Sequence, residues 1–130
     1  MSHTADQPVV VLVDDEPQSL AALQRSLLDE PWQVLATREP AQALHWVEPR
    51  NVSAIISDQR MPDMSGTQLL EEVRLRSPAT KRIILTAFAG PTVRKPGVTD
   101  AVECVIGKPW DDAMLKKTMH EFIPDGEGEA

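Results

Sequence analysis

Short apolar runs alternate along this chain with segments of helical periodicity, and no other feature constrains the fold as strongly. The run Val9–Val13 is apolar throughout and rich in β-branched residues, as in a strand covered on both faces. Four later runs are also predicted to be strands: Trp32–Ala36, Ala54–Ser57, Arg82–Thr86 and Cys104–Ile106. Strands that alternate with helices favour a parallel sheet. The sequence therefore predicts an α/β fold, a five-stranded parallel sheet with helices on both faces.

Prolines and leucines outline the helices between these runs. Pro17 and Pro40 suit the first turn of a helix, where the missing N–H has no intrahelical partner to lose. Leucines at positions 20, 23 and 27 share one helical face, as do apolar residues at 69, 70 and 73. Pro49 is predicted to end the second helix, and Trp110–Phe122 is predicted as the last one.

The segment between the fourth and fifth strands departs from this regular pattern. Pro96 and Gly97 lie where a helix is expected, and a proline costs about 3 kcal/mol in a helix interior. We therefore expect any helix in this segment to be short or irregular.

Length and composition indicate one domain. The chain has 130 residues, 42% hydrophobic and 25% charged, which is typical of a globular protein. Residues 1–124 are predicted to form that domain, and the acidic residues 125–130 to be a disordered tail. The formal net charge of −7 argues against binding to nucleic acid or to an anionic membrane surface.

Targeting signals and cysteine content agree with a cytoplasmic location. Met1–Gln7 is polar and lacks the basic start and apolar stretch of a signal peptide. No apolar run approaches the length needed to span a membrane. The single cysteine, Cys104, rules out an internal disulfide, suits a reducing compartment and is expected to be a buried packing residue.

Carboxylates follow two of the predicted strands directly. Asp14, Asp15 and Glu16 come after the first strand, and Asp58 comes after the third. If these strand ends are neighbours, three or four carboxylates meet in one small pocket, where their charges repel. A divalent cation is the simplest compensation for this repulsion. The pattern alone leaves open whether the first and third strands are adjacent.

These residues, taken with two further strand ends, resemble the receiver domain of bacterial response regulators. The matching runs are Val-Asp-Asp-Glu at 13–16, Ser-Asp-Gln-Arg-Met-Pro-Asp-Met-Ser-Gly at 57–66, Leu-Thr-Ala at 85–87 and Lys-Pro-Trp at 108–110. The resemblance covers about Val9 to Ile123. It implies a flavodoxin-like, doubly wound sheet with strand order 2-1-3-4-5, which makes the first and third strands neighbours.

The resemblance also implies the chemistry of the acidic pocket. Asp58 is expected to accept a phosphoryl group from a sensor histidine kinase or phosphotransfer protein, forming an aspartyl phosphate. Mg²⁺ is the expected cofactor. Its expected ligands are Asp15, Asp14 either directly or through water, Asp58, and the backbone carbonyl of Arg60.

Two further residues complete the expected site. Lys108 should pair with a phosphoryl oxygen, and the Thr86 hydroxyl should donate to another and report phosphorylation to the rest of the domain. The family usually has a cis peptide bond at Lys108–Pro109. An output domain or effector outside this sequence is the expected downstream partner, and the resemblance leaves the formation of a homodimer open.

Three features depart from the common receiver pattern, and the first is the interruption of the normally regular fourth helix at Pro96 and Gly97. Val105 stands where an aromatic residue usually swings inward on activation, so an aromatic switch is in doubt. Phe88 and Arg60 flank the mouth of the expected site, and we hypothesise that they hinder hydrolysis and prolong the life of the phosphoprotein.

The run at 57–62 and the Lys-Pro-Trp-Asp run look closest to receivers of HD-type cyclic-dinucleotide phosphodiesterases or of hydrogenase-type regulators.

Several alternatives remain open at this stage. Asp14 or Asp15 can serve as a helix N-cap, and Asp58 as a turn residue. A phosphatase of the haloacid dehalogenase type also forms an aspartyl phosphate, but it needs a second acid where this chain has Arg60. A degenerate receiver that acts only through protein contacts is the main rival to a phosphorylated switch. In the leading interpretation the chain is not an enzyme.

The remaining tryptophans, histidines and one glycine have structural interpretations. The tryptophans are expected to pack in the core rather than to form a binding platform: Trp32, Trp46 and Trp110. The histidines lack metal-like spacing and are expected at the surface: His3, His45 and His120. Gly66 is expected to serve the backbone where a loop turns into a helix.

Overall fold

A computed structural model of the protein describes residues 7–87 and 100–123. The elements in these residues are β1 (Val9–Val13), α1 (Pro17–Ser26), β2 (Gln33–Thr37), α2 (Pro40–Arg50), β3 (Ala54–Asp58), α3 (Gly66–Arg76), β4 (Lys81–Thr86), β5 (Cys104–Gly107) and α4 (Asp112–Phe122). The predicted irregular helix around Pro96 and Gly97, and the predicted tail at 125–130, lie outside the described residues. No helix of the described residues is long and apolar enough to cross a membrane.

The five strands form one parallel sheet in the order β2-β1-β3-β4-β5. This is the flavodoxin-like order, so the prediction of fold class and of adjacent first and third strands is confirmed. The pairing register aligns the strand ends, since Val13 pairs with Ser57 and Thr86 pairs with Gly107. Residues that follow β1, β3 and β5 therefore meet at one edge of the sheet.

The sheet separates two hydrophobic cores, and β1 contributes to both because successive side chains point to opposite faces. Val10 and Leu12 pack in the core that also contains residues of α1 and α4. Val11 and Val13 pack in the core that contains residues of α2 and α3. All four side chains are at most 1% exposed, and burying one such side chain stabilises the fold by about 1.5–3 kcal/mol. This double burial explains the uninterrupted apolar run.

Two helix boundaries differ from the prediction. Pro49 lies inside α2, which continues to Arg50 and ends at Asn51 in a left-handed conformation with φ 56°. A proline this close to the C-terminus disturbs only the last turn, so the prediction that it ends the helix was wrong. The last helix begins at Asp112 and not at Trp110, because the Asp111 side chain caps it by accepting from a backbone N–H at 2.9 Å.

The prediction that His120 lies at the surface was wrong. Its Nε2 lies 2.7 Å from a carboxylate oxygen of Glu30, its ring packs against buried Trp32 at 5.0 Å, and its side chain is only 29% exposed. His45 is exposed as predicted, and His3 lies outside the described residues.

The other structural predictions agree with the fold. Cys104 is buried, and the peptide bond at Lys108–Pro109 is cis. All three tryptophans pack against the two cores: Trp32, Trp46 and Trp110.

Candidate functional site

Three carboxylates meet at the edge of the sheet where β1 and β3 end. Asp14 and Asp15 follow β1 directly, and Asp58 is the last residue of β3. One ligand oxygen from each of the three lies within 4.8 Å of the others. Asp14 is 1% exposed, so its charge is removed from bulk water. Burying like charges this close requires compensation by positive charge.

Lys108 provides positive charge inside this acidic cluster. Its Nζ lies 2.9 Å from Oδ2 of Asp14 and 3.4 Å from Oδ1 of Asp58. The residue follows β5, and its backbone N–H donates to the carbonyl of Thr86 at 2.9 Å. Strand pairing therefore carries the lysine to a point between two carboxylates that lie far from it in the sequence.

The electrostatic environment raises the pKa of both partners in the Lys108–Asp58 pair. Burial raises the pKa of Asp58 above the ordinary 3.8, and the negative charge of Asp14 raises it further. The lysine and the backbone N–H of Gln59 act against this rise without cancelling it. Burial acts to lower the pKa of Lys108, but the hydrogen bond and charge of Asp14, and then those of Asp58, outweigh it and raise that pKa.

Both carboxylate oxygens of Asp14 accept a hydrogen bond, one from the loop after β1 and one from Lys108. One oxygen accepts from the backbone N–H of Glu16 at 2.9 Å, and the other accepts from Lys108. Glu16 is the N-cap residue of α1, so the alternative that Asp14 or Asp15 occupies the cap position is wrong. The Asp15 carbonyl accepts from Nε of Arg38 at 3.0 Å, which ties this loop to the end of β2.

The loop after β3 is packed tightly against Asp58. A Cβ at Gly66 would lie 2.3 Å from the backbone oxygen of Asp58, a distance that real atoms do not tolerate. The same backbone oxygen accepts from the Ser57 hydroxyl at 2.8 Å. Gly66 is thus required by close approach of two backbones, as its position between loop and helix predicted.

The remaining predicted site residues lie around the cluster. Thr86 ends β4 and is 9% exposed. Arg60 is exposed and lies beside the cluster. An open cleft of about 610 Å³ at this place is lined by Asp15, Gln59, Arg60, Met61, Pro62 and Ser65. Phe88, which is part of the shielding hypothesis, lies outside the described residues.

Gln59 was missed as a site residue by the sequence analysis. Its side chain accepts two hydrogen bonds from Thr67, at the start of α3. Its position directly after Asp58 was visible in the sequence, but its partner is eight residues away across a turn. The neighbouring capping box was a readable signal, since Ser65 is followed by a glutamine three residues later.

The donor set of the cluster fits a small, hard divalent cation. Carboxylate and carbonyl oxygens are the protein ligands of Mg²⁺, which retains several waters and needs few protein ligands. The three carboxylates supply such oxygens, and the cleft beside Asp15 leaves room for water. Nitrogen and sulfur donors of a zinc-type site are absent from the group that the described residues form.

Comparison with known proteins agrees with this geometry. Residues 10–120 match the family described as the response regulator receiver domain. The chain belongs to this family. Receiver domains are signalling domains of two-component systems, and the acidic cluster lies at the phosphorylation site of the family fold.

Curated relatives of this receiver domain are transcriptional regulators. The hydrogenase transcriptional regulatory protein HoxA of Cupriavidus necator is 36% identical over 118 residues, which cover 90% of this chain and 24% of the relative. The transcriptional regulatory protein GlrR of Escherichia coli is 31% identical over 95% of this chain and 27% of its own length. The receiver chain thus spans about a quarter of the length of these regulators.

Solved structures of receiver domains have the same fold. The signal receiver domain of an HD domain-containing protein from Pseudomonas fluorescens matches with TM-score 0.78 and 28% identity, over 90% of this chain and 94% of that one. The response regulator TrrA from Thermotoga maritima, solved in complex with Mg²⁺ and BeF, matches with TM-score 0.78 and 25% identity, over 89% and 99%. A hydrogenase regulator and an HD domain-containing protein are thus among the proteins that this chain resembles.

Proposed function

We propose that this receiver domain takes a phosphoryl group onto Asp58 from a sensor histidine kinase or phosphotransfer protein. The observation that carries the proposal is the cluster of three carboxylates at the carboxyl ends of β1 and β3, two of which pair with the Lys108 ammonium that follows β5. In the transfer, a carboxylate oxygen of Asp58 forms a bond to phosphorus while the phosphorus–nitrogen bond to the donor histidine breaks. The electron pair of that bond leaves with the imidazole.

Different residues of the cluster would have different roles when the Asp58 carboxylate and the phosphoryl group, both negatively charged, approach each other. Asp14, Asp15 and the carbonyl of Arg60 would hold Mg²⁺ beside Asp58. When bound, Mg²⁺ supplies the positive charge that lets a carboxylate and a phosphoryl group approach each other. Asp14 is the most deeply buried of the three acids, and its turn is fixed by its bond to Glu16.

Lys108 and Thr86 would contact the product. The lysine lies between two carboxylates, so a short movement of its ammonium away from Asp14 brings it to an oxygen of a phosphoryl group on Asp58. The Thr86 hydroxyl would donate to another oxygen. Thr86 ends β4 and Lys108 follows the neighbouring strand β5. The bond from the Lys108 N–H to the Thr86 carbonyl links the two residues, which supports a coupled response.

The signal would pass to an output domain or effector. Full-length relatives are transcriptional regulators, and we propose that the effector of this chain is a regulatory domain or protein of the cytoplasm. The receiver itself would not contact nucleic acid, because its net charge is −7. Whether it also forms a homodimer stays a separate prediction.

Incubation with acetyl phosphate or beryllofluoride, with and without Mg²⁺, tests the proposal. A Mg²⁺-dependent mass gain of one phosphoryl group that is abolished in Asp58→Asn is the expected result. Turnover of an external phosphate ester would indicate a phosphatase instead. A protein that neither gains mass nor binds beryllofluoride would be a degenerate receiver, which acts only through protein contacts.

A further inference from the structure

Gln59 fixes the loop that carries Asp58 to the first turn of α3. Its side-chain Oε1 accepts from the backbone N–H of Thr67 at 2.8 Å and from the Thr67 hydroxyl at 3.1 Å. Its backbone carbonyl accepts from the N–H of Gly66 at 2.9 Å. One residue thus holds the start of α3 through both its side chain and its main chain.

The hydrogen bonds at this helix end are complete. A helix leaves its first four N–H groups without intrahelical partners. In α3 the N–H groups of Gly66 and Thr67 donate to Gln59. The other two belong to the capping box, in which the Ser65 N–H donates to the Gln68 side chain at 2.9 Å and the Gln68 N–H donates to the Ser65 hydroxyl at 3.1 Å. The helix N-terminus is therefore used to hold the loop and offers no N–H group to a phosphoryl oxygen.

Gln59 also contacts the acidic cluster from its other side. It is bonded covalently to Asp58 on one side and to Arg60 on the other, and it lines the same cleft as Asp15 and Arg60. Rotation of the Gln59 backbone would therefore turn both the carboxylate and the neighbouring carbonyl, two of the oxygens expected around Mg²⁺. The two bonds from Thr67 oppose that rotation. Groups that orient metal ligands in this way typically change metal affinity 10–100-fold when removed.

We propose that Gln59 is a positioning residue. Its two hydrogen bonds with Thr67 hold the Asp58 carboxylate and the Arg60 carbonyl in the orientation that binds Mg²⁺. This proposal rests on the proposed function of the site. The Gln59 side chain would have this role without contacting the metal or the phosphoryl group.

The test measures Mg²⁺ affinity by calorimetry, at a temperature where every variant is folded. Gln59→Leu removes the acceptor at nearly constant volume and should weaken Mg²⁺ binding about tenfold. Gln59→Glu keeps the acceptor and should bind Mg²⁺ at least as tightly as the wild type. If Gln59→Leu does not fold, Gln59→Asn is used in its place, because its shorter side chain cannot reach Thr67, and the same weakening is expected.

Ser65→Ala is the matched control. It removes the hydroxyl that accepts from the Gln68 N–H at the same helix end, so it should lower the melting temperature and weaken Mg²⁺ binding much less than Gln59→Leu does. Equal Mg²⁺ affinity in Gln59→Leu and wild type, or equal weakening in Gln59→Leu and Ser65→Ala, would overturn the proposal. Failure of the proposed function has a different result, a wild-type protein that binds Mg²⁺ but gains no phosphoryl group.

Discussion

The Lys108 ammonium lies 2.9 Å from Asp14 and 3.4 Å from Asp58, so one cation bridges two carboxylates from different strands. The shorter contact is to Asp14, an expected ligand of Mg²⁺, and the longer one is to the expected phosphoacceptor. We therefore expect the lysine to compete with Mg²⁺ for the Asp14 carboxylate while its ammonium stays within reach of Asp58.

Replacement of Lys108 by methionine should destabilise the metal-free protein and increase its response to Mg²⁺. The substitution leaves the buried Asp14 without its ammonium partner, which costs about 3 kcal/mol in the free energy of unfolding. Mg²⁺ then neutralises the carboxylates without displacing a lysine. We expect Mg²⁺ to raise the melting temperature of Lys108→Met more than that of the wild type, as measured by calorimetry.

Lys117→Met provides the matched control, since Lys117 is exposed on α4. Its stability should remain within about 0.5 kcal/mol of the wild type, with an unchanged Mg²⁺ response. Equal Mg²⁺-induced shifts in Lys108→Met and wild type would show that the lysine does not compete with the metal.

Removal of the charge at Asp58 should stabilise the protein at neutral pH. Its pKa is raised in the folded state by burial and by Asp14, so the folded protein binds a proton more readily than the unfolded chain. Stability associated with this group is then present at low pH and is lost as the pH rises from 3.8 through the raised pKa. Asp58→Asn should raise the free energy of unfolding at pH 7 by on the order of 1 kcal/mol.

Urea denaturation at several pH values, without Mg²⁺, measures this effect. The difference in the free energy of unfolding between Asp58→Asn and the wild type should become smaller as the pH falls toward 3.8, the ordinary carboxyl pKa. Asp63→Asn, which removes a charge from an exposed loop position, should show no such trend. An advantage of Asp58→Asn that is constant across pH would contradict the electrostatic explanation.

Gly66→Ala separates helix propensity from steric conflict. Alanine in a helix is favoured over glycine by about 1 kcal/mol, so propensity alone predicts a more stable protein. The new Cβ would however lie 2.3 Å from the Asp58 backbone oxygen, and backbone cannot move aside cheaply. We expect a net loss of about 2 kcal/mol and slower labelling of Asp58. A variant as stable as the wild type would show that the loop yields easily.

Arg82 should be a major contributor to stability far from the acidic cluster. Its side chain is buried, and its nitrogens donate to the carbonyl oxygens of Ala101 at 2.7 Å, Thr80 at 2.8 Å and Pro78 at 3.1 Å. It also lies 3.7 Å from a carboxylate oxygen of Glu103. Arg82→Leu removes all of these hydrogen bonds and the ion pair at once. We therefore expect the free energy of unfolding, measured by urea denaturation, to fall by about 3 kcal/mol.

Arg74→Leu makes the same change at an exposed position of α3 and should alter stability by no more than about 0.5 kcal/mol. If the two leucine variants unfold at the same urea concentration, the buried hydrogen bonds of Arg82 contribute nothing measurable.

Features that depend on neighbouring residues in the chain were predictable from the sequence. The apolar run of β1 and the acids that follow it are adjacent, and so are Asp58 and the turn-rich loop after it. The strand order that joins them came from the resemblance to a family, because apolar periodicity does not specify which strands pair.

Features that depend on distant partners were not predictable from local pattern. His120 was assigned to the surface, yet its partner Glu30 lies 90 positions away and shields it. Arg82 is predicted only as the first residue of a strand, because no pattern in the neighbouring sequence indicates that its charged side chain is buried. The family pattern predicts Lys108 at the site, but no local pattern indicates that its hydrogen bond is to Asp14, 94 positions away.

Identification of the phosphorylated residue tests the central claim most directly. Borohydride reduces an acyl phosphate of aspartate to homoserine, which peptide mass spectrometry locates in the sequence. The account predicts homoserine at position 58, only after incubation with acetyl phosphate and Mg²⁺ together, and none when a chelator replaces the metal. Homoserine at another acidic position, or equal labelling of position 58 without Mg²⁺, would contradict the assignment of Asp58 and its carboxylate neighbours.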